Sequence, residues 1–229
     1  MGVPTASHFL SPGIQTGILN NAHLGATNRA GFQWAVSARD EKAYQDVMAL
    51  FTKDDYHLCS THGGRYLVGE TPELIEDDRF TLLMPPYFAA RYVNDAQAPP
   101  TPAELATGRR SVVPAVQILQ KGGTVSIGTD SPVAAPALGV HMALRSFADP
   151  RLGNATNHET LLAATINSAK LIHADHELGT VEVGKIADLV MIDGNPLEDI
   201  ADLVNVEMVM KNGVIYTIPE ILAPYLPKE

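Results

Sequence analysis

Apolar residues recur along this chain at two different periods, and the switches between them predict where its elements lie. Gly2 to Ser7 and Gly17 to His23 are short extended stretches that run into histidines, and they read as two strands. Between Glu41 and Asp54, Ala43, Val47, Leu50 and Phe51 return at helical spacing, and Tyr56 to Thr61 then resumes an extended pattern. Prolines and glycines punctuate residues 63 to 101, including Pro85-Pro86-Tyr87 and Pro99-Pro100, which predicts a long irregular excursion.

From Thr101 a helical run passes through Leu105 and Val112 to Leu119, with a kink expected at Pro114 and a stop at Gly122-Gly123. Thr124 to Gly128 follows as a buried strand that ends in Gly128-Thr129-Asp130-Ser131-Pro132, a carboxylate at a strand tip. Thr156 and Glu159 form a capping box opening one apolar helix through Leu161, Leu162, Ile166 and Leu171. Val181 to Gly184 then turns into Ala187 to Ile192. Val206 to Lys211, Asn212-Gly213 and Val214 to Thr217 spell a hairpin with a type I′ turn. Helices alternating with strands up to about residue 175, and a small β unit from 176 to 229, predict α/β units followed by a separate β appendage. The chain has no internal repeat at solenoid period and no charge block.

Composition narrows the function classes. At 45% hydrophobic and 18% charged, 229 residues can bury a real core, which excludes global disorder. No apolar run reaches the roughly 18–20 residues of a membrane helix, and the N-terminus lacks a signal peptide's basic-then-apolar layout, so no membrane partner is expected and the cytoplasm is favoured. A net charge of -10 repels a phosphate backbone and argues against nucleic acid. A single cysteine, Cys59, leaves any metal to histidines and carboxylates, and there are eight histidines.

Four predicted strands lead into a ligand-capable residue: His8, His23, His62 and Asp130. Carboxyl ends of parallel strands face one side, so such residues converge despite long separations in sequence. Neutral imidazoles with a carboxylate suit a divalent cation such as zinc, which lowers the pKa of bound water to about 7 and so serves hydrolysis. The ordinary alternatives are a hydrogen-bonded capping imidazole at His8 or His23, a turn residue at Asp130, with Thr129 and Ser131 as its supports, and a solvated loop residue at His62. His141, on the helix after Asp130, faces either the site or the core, whereas His158, His173 and His176 read as helix-end or surface residues. Cys59 reads as a small core residue. Thr61-His62-Gly63-Gly64 has no Gly-x-Ser-x-Gly partner, which discards a serine hydrolase.

Ser7-His8-Phe9-Leu10-Ser11-Pro12, Ala22-His23-Leu24-Gly25-Ala26-Thr27, Gly128-Thr129-Asp130-Ser131-Pro132 and the run from Leu178-Gly179-Thr180 to Gly184-Lys185-Ile186-Ala187-Asp188-Leu189-Val190 together resemble the C-terminal half of a metal-dependent amidohydrolase. The nearest groups are the imidazolonepropionase-like and TolB-associated amidohydrolases, and the resemblance covers essentially the whole chain. It implies strands five to eight of a distorted (β/α)8 barrel over residues 1–175 and a segment of a composite β-sandwich over 176–229. It further implies that His8 and His23 are metal ligands, and that Asp130 binds metal, takes a proton from the attacking water and passes it to the leaving group. His62, Gly63 and His141 become candidate substrate contacts for a small or peptide-like molecule.

The family's His-x-His pair and bridging lysine have no counterpart in this chain, so the resemblance implies one zinc ion here and allows two in a longer parent. The reading is therefore a hydrolase of amide, cyclic amide or ester carbonyls. Its alternative is a catalytically incomplete fragment, or half of a split enzyme, acting as an assembly or binding module. Open barrel edges predict a homo-oligomer or a complex with an N-terminal half.

Overall fold

The structure, a computed structural model, describes residues 5–8, 13, 15–22, 45–53, 55–61, 65–131 and 138–226. Strands β1 (Ala6–Ser7), β2 (Asn20–Ala22), β3 (His57–Ser60) and β4 (Thr124–Ile127) form one parallel sheet in the order β1-β2-β3-β4. Parallel pairing requires crossovers. Helix α1 (Gln45–Phe51) lies between β2 and β3, and the 19-residue helix α5 (Pro102–Gln120) leads into β4.

The pleat divides the sheet chemically. Leu58 and Val125 are register partners and fully buried, and they enter a core with Phe51, Ile118, Met142 and Phe147. Each such side chain contributes roughly 1.5–3 kcal/mol by leaving water. The alternate positions His57, Cys59 and Thr124 are only half-buried, while Ser126 beside Cys59 is buried. Burial pushes the phenol of Tyr56, 5.0 Å from the Phe51 ring, up to about 12.

Residues 65–95 are not the irregular excursion that their prolines predict. A 3-10 turn (Arg65–Glu70) leads into α2 (Pro72–Glu76), α3 (Asp78–Leu83) and α4 (Pro86–Asp95). Pro72 and Pro86 open helices instead of breaking them, because the first turn has no partner for the N–H that proline lacks. Leu74, Ile75, Phe80 and Tyr92 bury the resulting apolar faces. Proline is tolerated once more inside α5, which runs unbroken past the buried Pro114 after a Thr101/Glu104 capping box.

Following β4, α6 (Leu138–Ala148) crosses the core, and the predicted capping box holds: Glu159 N–H donates to Thr156 Oγ1 at 3.1 Å and Thr156 N–H to Glu159 Oε2 at 2.8 Å. The single helix predicted after it is two, α7 (Asn157–Ala164) and α8 (Ile166–Leu171), because Thr165 leaves helical geometry at φ −115°, ψ −94°. Side-chain hydroxyls explain the break. Thr165 Oγ1 donates to Leu161 O at 2.7 Å and Ser168 Oγ to Ala163 O at 2.8 Å, so both compete with the helical ladder.

The C-terminal unit is an antiparallel sheet of β5 (Leu189–Ile192), β6 (Val206–Lys211) and β7 (Val214–Thr217), followed by the short helix α9 (Ile218–Leu222). Its hairpin turns at Asn212 (φ 50°) and Gly213 (φ 80°), as the type I′ reading requires. Asp188 caps that turn by accepting from Asn212 N–H at 2.7 Å and pairing with Lys211. Lys185 Nζ donates to Asp175 O at 2.8 Å and to Thr180 Oγ1 at 2.5 Å. Lys185 and Asp188 of the Gly-Lys-Ile-Ala-Asp run are thus structural ties.

Candidate functional site at the carboxyl edge of the parallel sheet

Parallel order sends the carboxyl ends of all four strands to one edge. His8 follows β1 directly and Asp130 lies three residues beyond β4, so both stand on that edge, and both are exposed. They belong to the two outermost strands, with β2 and β3 between them. His23, one residue past β2, and His62 and Gly63, beyond β3, lie outside the described residues.

Buried polar groups fix the strand that carries His8. Asn21 is fully buried on β2, and its Nδ2 donates to the carbonyl of Ser7, the residue before His8, at 2.8 Å. Asn20 Nδ2 donates to Thr5 O at 3.0 Å. With β1 only two residues long, these side-chain bonds supplement a ladder of minimal length. Asn20 and Asn21 are missing from the sequence-derived site. The available signal is an Asn-Asn pair inside a strand, where that residue type is depleted unless its amide has work to do.

Close approach fixes the loop that carries Asp130. Gly128 N–H donates to Ser60 O at 2.7 Å, extending the β3–β4 pairing toward the carboxyl edge. A Cβ on Gly128 would lie 2.7 Å from Cys59 Sγ and 3.1 Å from Thr61 Cγ2, so only glycine lets the chain pass the thiol. Two residues on, Asp130 holds φ 55°, a left-handed conformation that Asp tolerates better than most residues. Burial pushes the Cys59 thiol up, the Ser126 hydroxyl beside it opposes this, and the Asp130 charge adds to the rise. Cys59 is therefore a protonated packing residue beside the candidate carboxylate.

His141 lies in the first turn of α6. It lines a cavity of about 480 Å³ with Leu74, Asp77, Arg79, Phe80, Leu138 and residues of α9, whereas neither His8 nor Asp130 is on its walls. A second cavity, of about 440 Å³, lies at the amino end of the sheet, where Asn20, His57 and Thr124 open β2, β3 and β4. It is walled by polar side chains including Lys53, Asp55, Lys170 and His173, and it faces away from the edge bearing His8 and Asp130. His158, His173 and His176 are exposed, matching the surface role read from sequence.

Residues 21–216 match the amidohydrolase family. The chain belongs to that family. It is 37% identical over 109 residues to a 5-methylthioadenosine/S-adenosylhomocysteine deaminase of Thermoanaerobacter pseudethanolicus, an alignment covering 44% of this chain and 24% of that protein. It is 38% identical over 78 residues to an imidazolonepropionase of Geobacillus sp., covering 34% of this chain and 18% of that one. Molinate hydrolase superposes with a TM-score of 0.59 at 17% identity over 99% of this chain and 45% of its own. A putative prolidase from Bifidobacterium longum superposes with a TM-score of 0.56 at 19% identity, over 92% and 46%. At these identities the structural likeness is one of fold: a mixed α/β architecture with a parallel sheet, similar to the amidohydrolase structures.

The chain thus spans about a quarter or less of these curated relatives and under half of these solved chains. The family is typically metal-dependent. Among the described residues, no group of three or more His, Cys, Asp or Glu is placed to hold a metal ion. His8 and Asp130 have the donor chemistry and share an edge; a third donor has to come from elsewhere, and His23 is the sequence's nominee. No helix among the described residues is long and apolar enough to cross a membrane.

Proposed function

We propose that the carboxyl edge of the parallel sheet is the reactive face of a hydrolase cleaving amide, cyclic amide or ester carbonyls of a small or peptide-like substrate. One observation carries the reading: in a chain of the amidohydrolase family, His8 and Asp130 end the two outer strands of one parallel sheet on the same side. His8, His23 and Asp130 would hold a single divalent cation, zinc in our reading, which supplies polarisation of the carbonyl and of the attacking water. Asp130 accepts the proton of that water and returns it to the leaving group. Asn21 positions His8 through the Ser7 carbonyl, and Gly128 sets where Asp130 stands. His62 and Gly63 contact substrate from the loop after β3.

We assign residues 1–175 to strands five to eight of a (β/α)8 barrel and 176–229 to part of a β-sandwich. Two observations favour a second reading, in which this chain works as an assembly module, as a homo-oligomer or with an N-terminal half. Within the described sheet β1 and β4 each pair on one side only, and no side chain of β5, β6 or β7 is buried. Edges and apolar surface of this kind are seldom left uncovered in a monomer.

The test is hydrolysis of simple esters, linear amides and cyclic amides after metal-supplemented expression, with and without chelator. The hydrolase reading expects turnover that a chelator abolishes and that Asp130→Asn reduces by roughly 10²–10⁴ without unfolding the protein. Asp130→Asn activity within twofold of the parent would overturn it. Absence of both metal and turnover, with a dimer or larger species in light scattering, would establish the assembly reading.

A further inference from the structure

The cavity containing His141 lies where α2 and α3 meet the start of α6, Val204 and α9, so its walls come from sequence regions more than a hundred residues apart. Its volume of about 480 Å³ falls within the roughly 300–1,000 Å³ of small-molecule sites, and three of its thirteen wall residues are polar: Asp77, Arg79 and His141.

Its charges are already matched. Arg79 donates from Nε to Asp77 Oδ1 at 2.7 Å and from Nη2 to Asp77 Oδ2, a two-pronged pair, while its Nη1 donates to Val204 O at 2.8 Å. Arg145, one turn beyond His141 on α6, pairs with Glu73 at 3.1 Å. No uncompensated charge is left to attract a charged ligand. His141 is held below the usual histidine range by burial, then by Arg145 and Arg79, with Asp77 opposing. It is a neutral imidazole at pH 7, one nitrogen a donor and the other an acceptor. No hydrogen bond from the described residues occupies either nitrogen.

We infer that this cavity binds an uncharged, largely apolar small molecule whose one hydrogen-bonding group meets His141. Neither His8 nor Asp130 lines this cavity, and the inference stands whether or not the chain is a hydrolase. An apolar body fills the space between Phe80, Leu138 and Ile221, and a single N–H, hydroxyl or carbonyl satisfies the imidazole. A ligand with a formal charge would leave water without gaining a counter-ion.

The experiment uses two fluorescent probes on related frames, uncharged N-phenyl-1-naphthylamine and anionic 8-anilinonaphthalene-1-sulfonate, titrated into the full chain at pH 7.5. The expected result is saturable one-to-one binding of the uncharged probe, at least tenfold tighter than the sulfonate. His141→Leu should weaken it about fivefold, the equivalent of one net hydrogen bond. Ile221→Trp should abolish it by filling the cavity, and Leu83→Trp at the partly exposed rim repeats that test should the α9 variant unfold. Val190→Ser, on the separate antiparallel sheet, should change nothing. Equal or tighter binding of the sulfonate, or binding that survives both tryptophan variants and falls with Val190→Ser, would overturn the inference.

Discussion

Gly128→Ala tests whether close passage of the β4 tip against Cys59 really fixes the loop that carries Asp130. The new methyl would sit 2.7 Å from Cys59 Sγ, 3.1 Å from Thr61 Cγ2 and 3.5 Å from Ser60 O. Ordinary carbon contacts lie at about 3.5–4.0 Å, so the sulfur must retreat by roughly an ångström. Retreat is resisted, because Gly128 N–H is bonded to Ser60 O at 2.7 Å and Cys59 is held in register with Ser126. The cost of overpacking of this kind is about 1–3 kcal/mol. Cys59→Ala removes the sulfur and leaves only the Thr61 methyl to give way by a few tenths of an ångström. The two changes should therefore be non-additive: the double variant should be at least about 1 kcal/mol more stable than the sum of the single variants predicts. Urea unfolding with unchanged m-values measures all four corners of the cycle. Additivity within about 0.5 kcal/mol would refute the claim that the sulfur is what excludes a side chain at position 128.

Phe147→Ala should cost about 3–5 kcal/mol in the same assay, since Phe147 is fully buried in the core behind β4 and its loss leaves a cavity. Acid should weaken the fold partly through Arg151, which donates to Glu70 at 2.8 and 2.5 Å and pairs with Asp149. The Arg151 hydrogen bonds hold Glu70 below the usual range, and at Asp149 they outweigh a rise due to burial. Both carboxyls titrate lower in the folded chain than unfolded, so their contribution is present above the usual carboxylate range, near pH 4, and is lost as pH falls through the folded values. Exposure limits it to less than about 1 kcal/mol, and Arg151→Met should flatten that limb of a urea-midpoint against pH profile between pH 5 and 3.

Sequence reasoning succeeded where local chemistry dictates local geometry. The Thr156/Glu159 capping box and the Asn212-Gly213 hairpin need only residues close in sequence, and both form as read. It failed where the same residue has two roles. Pro72 and Pro86 fall in the stretch from 63 to 101 whose prolines and glycines predict an irregular excursion, and they prove to be helix starters, a distinction that depends on whether Leu74, Phe80 and Tyr92 find a core to enter. At the candidate site, the strand tips at His8 and Asp130 were legible because a strand followed by a ligand-capable residue is a one-dimensional pattern. Asn21 and Gly128 were not, because their importance lies in the Ser7 carbonyl and the Cys59 sulfur, each contributed by a neighbouring strand.

The antiparallel sheet shows what family motifs do and do not say. Lys185 and Asp188, from one of the runs that carry the family resemblance, tie a loop and cap a hairpin, so in this chain they serve the β unit and not the chemistry. What that unit presents is apolar surface: pairing sets Leu189 against Met210 and Met191 against Met208, with Ile215 beside Met210, all on one face. Leu189, Met191 and Ile215 are 37%, 48% and 50% exposed, and none of the five is charged. Antiparallel sheets ordinarily pair one apolar face with one solvated face. Val190, Val209 and Tyr216 stand on the opposite face, where Glu207 and Lys211 flank Val209 along β6 and are exposed, so the charged side chains of the strands lie on that second face and the Leu189–Met210 face is the apolar one. Within the described residues the hairpin thus folds by local rules without burying what it carries, and the free energy still to be gained lies in covering that sheet.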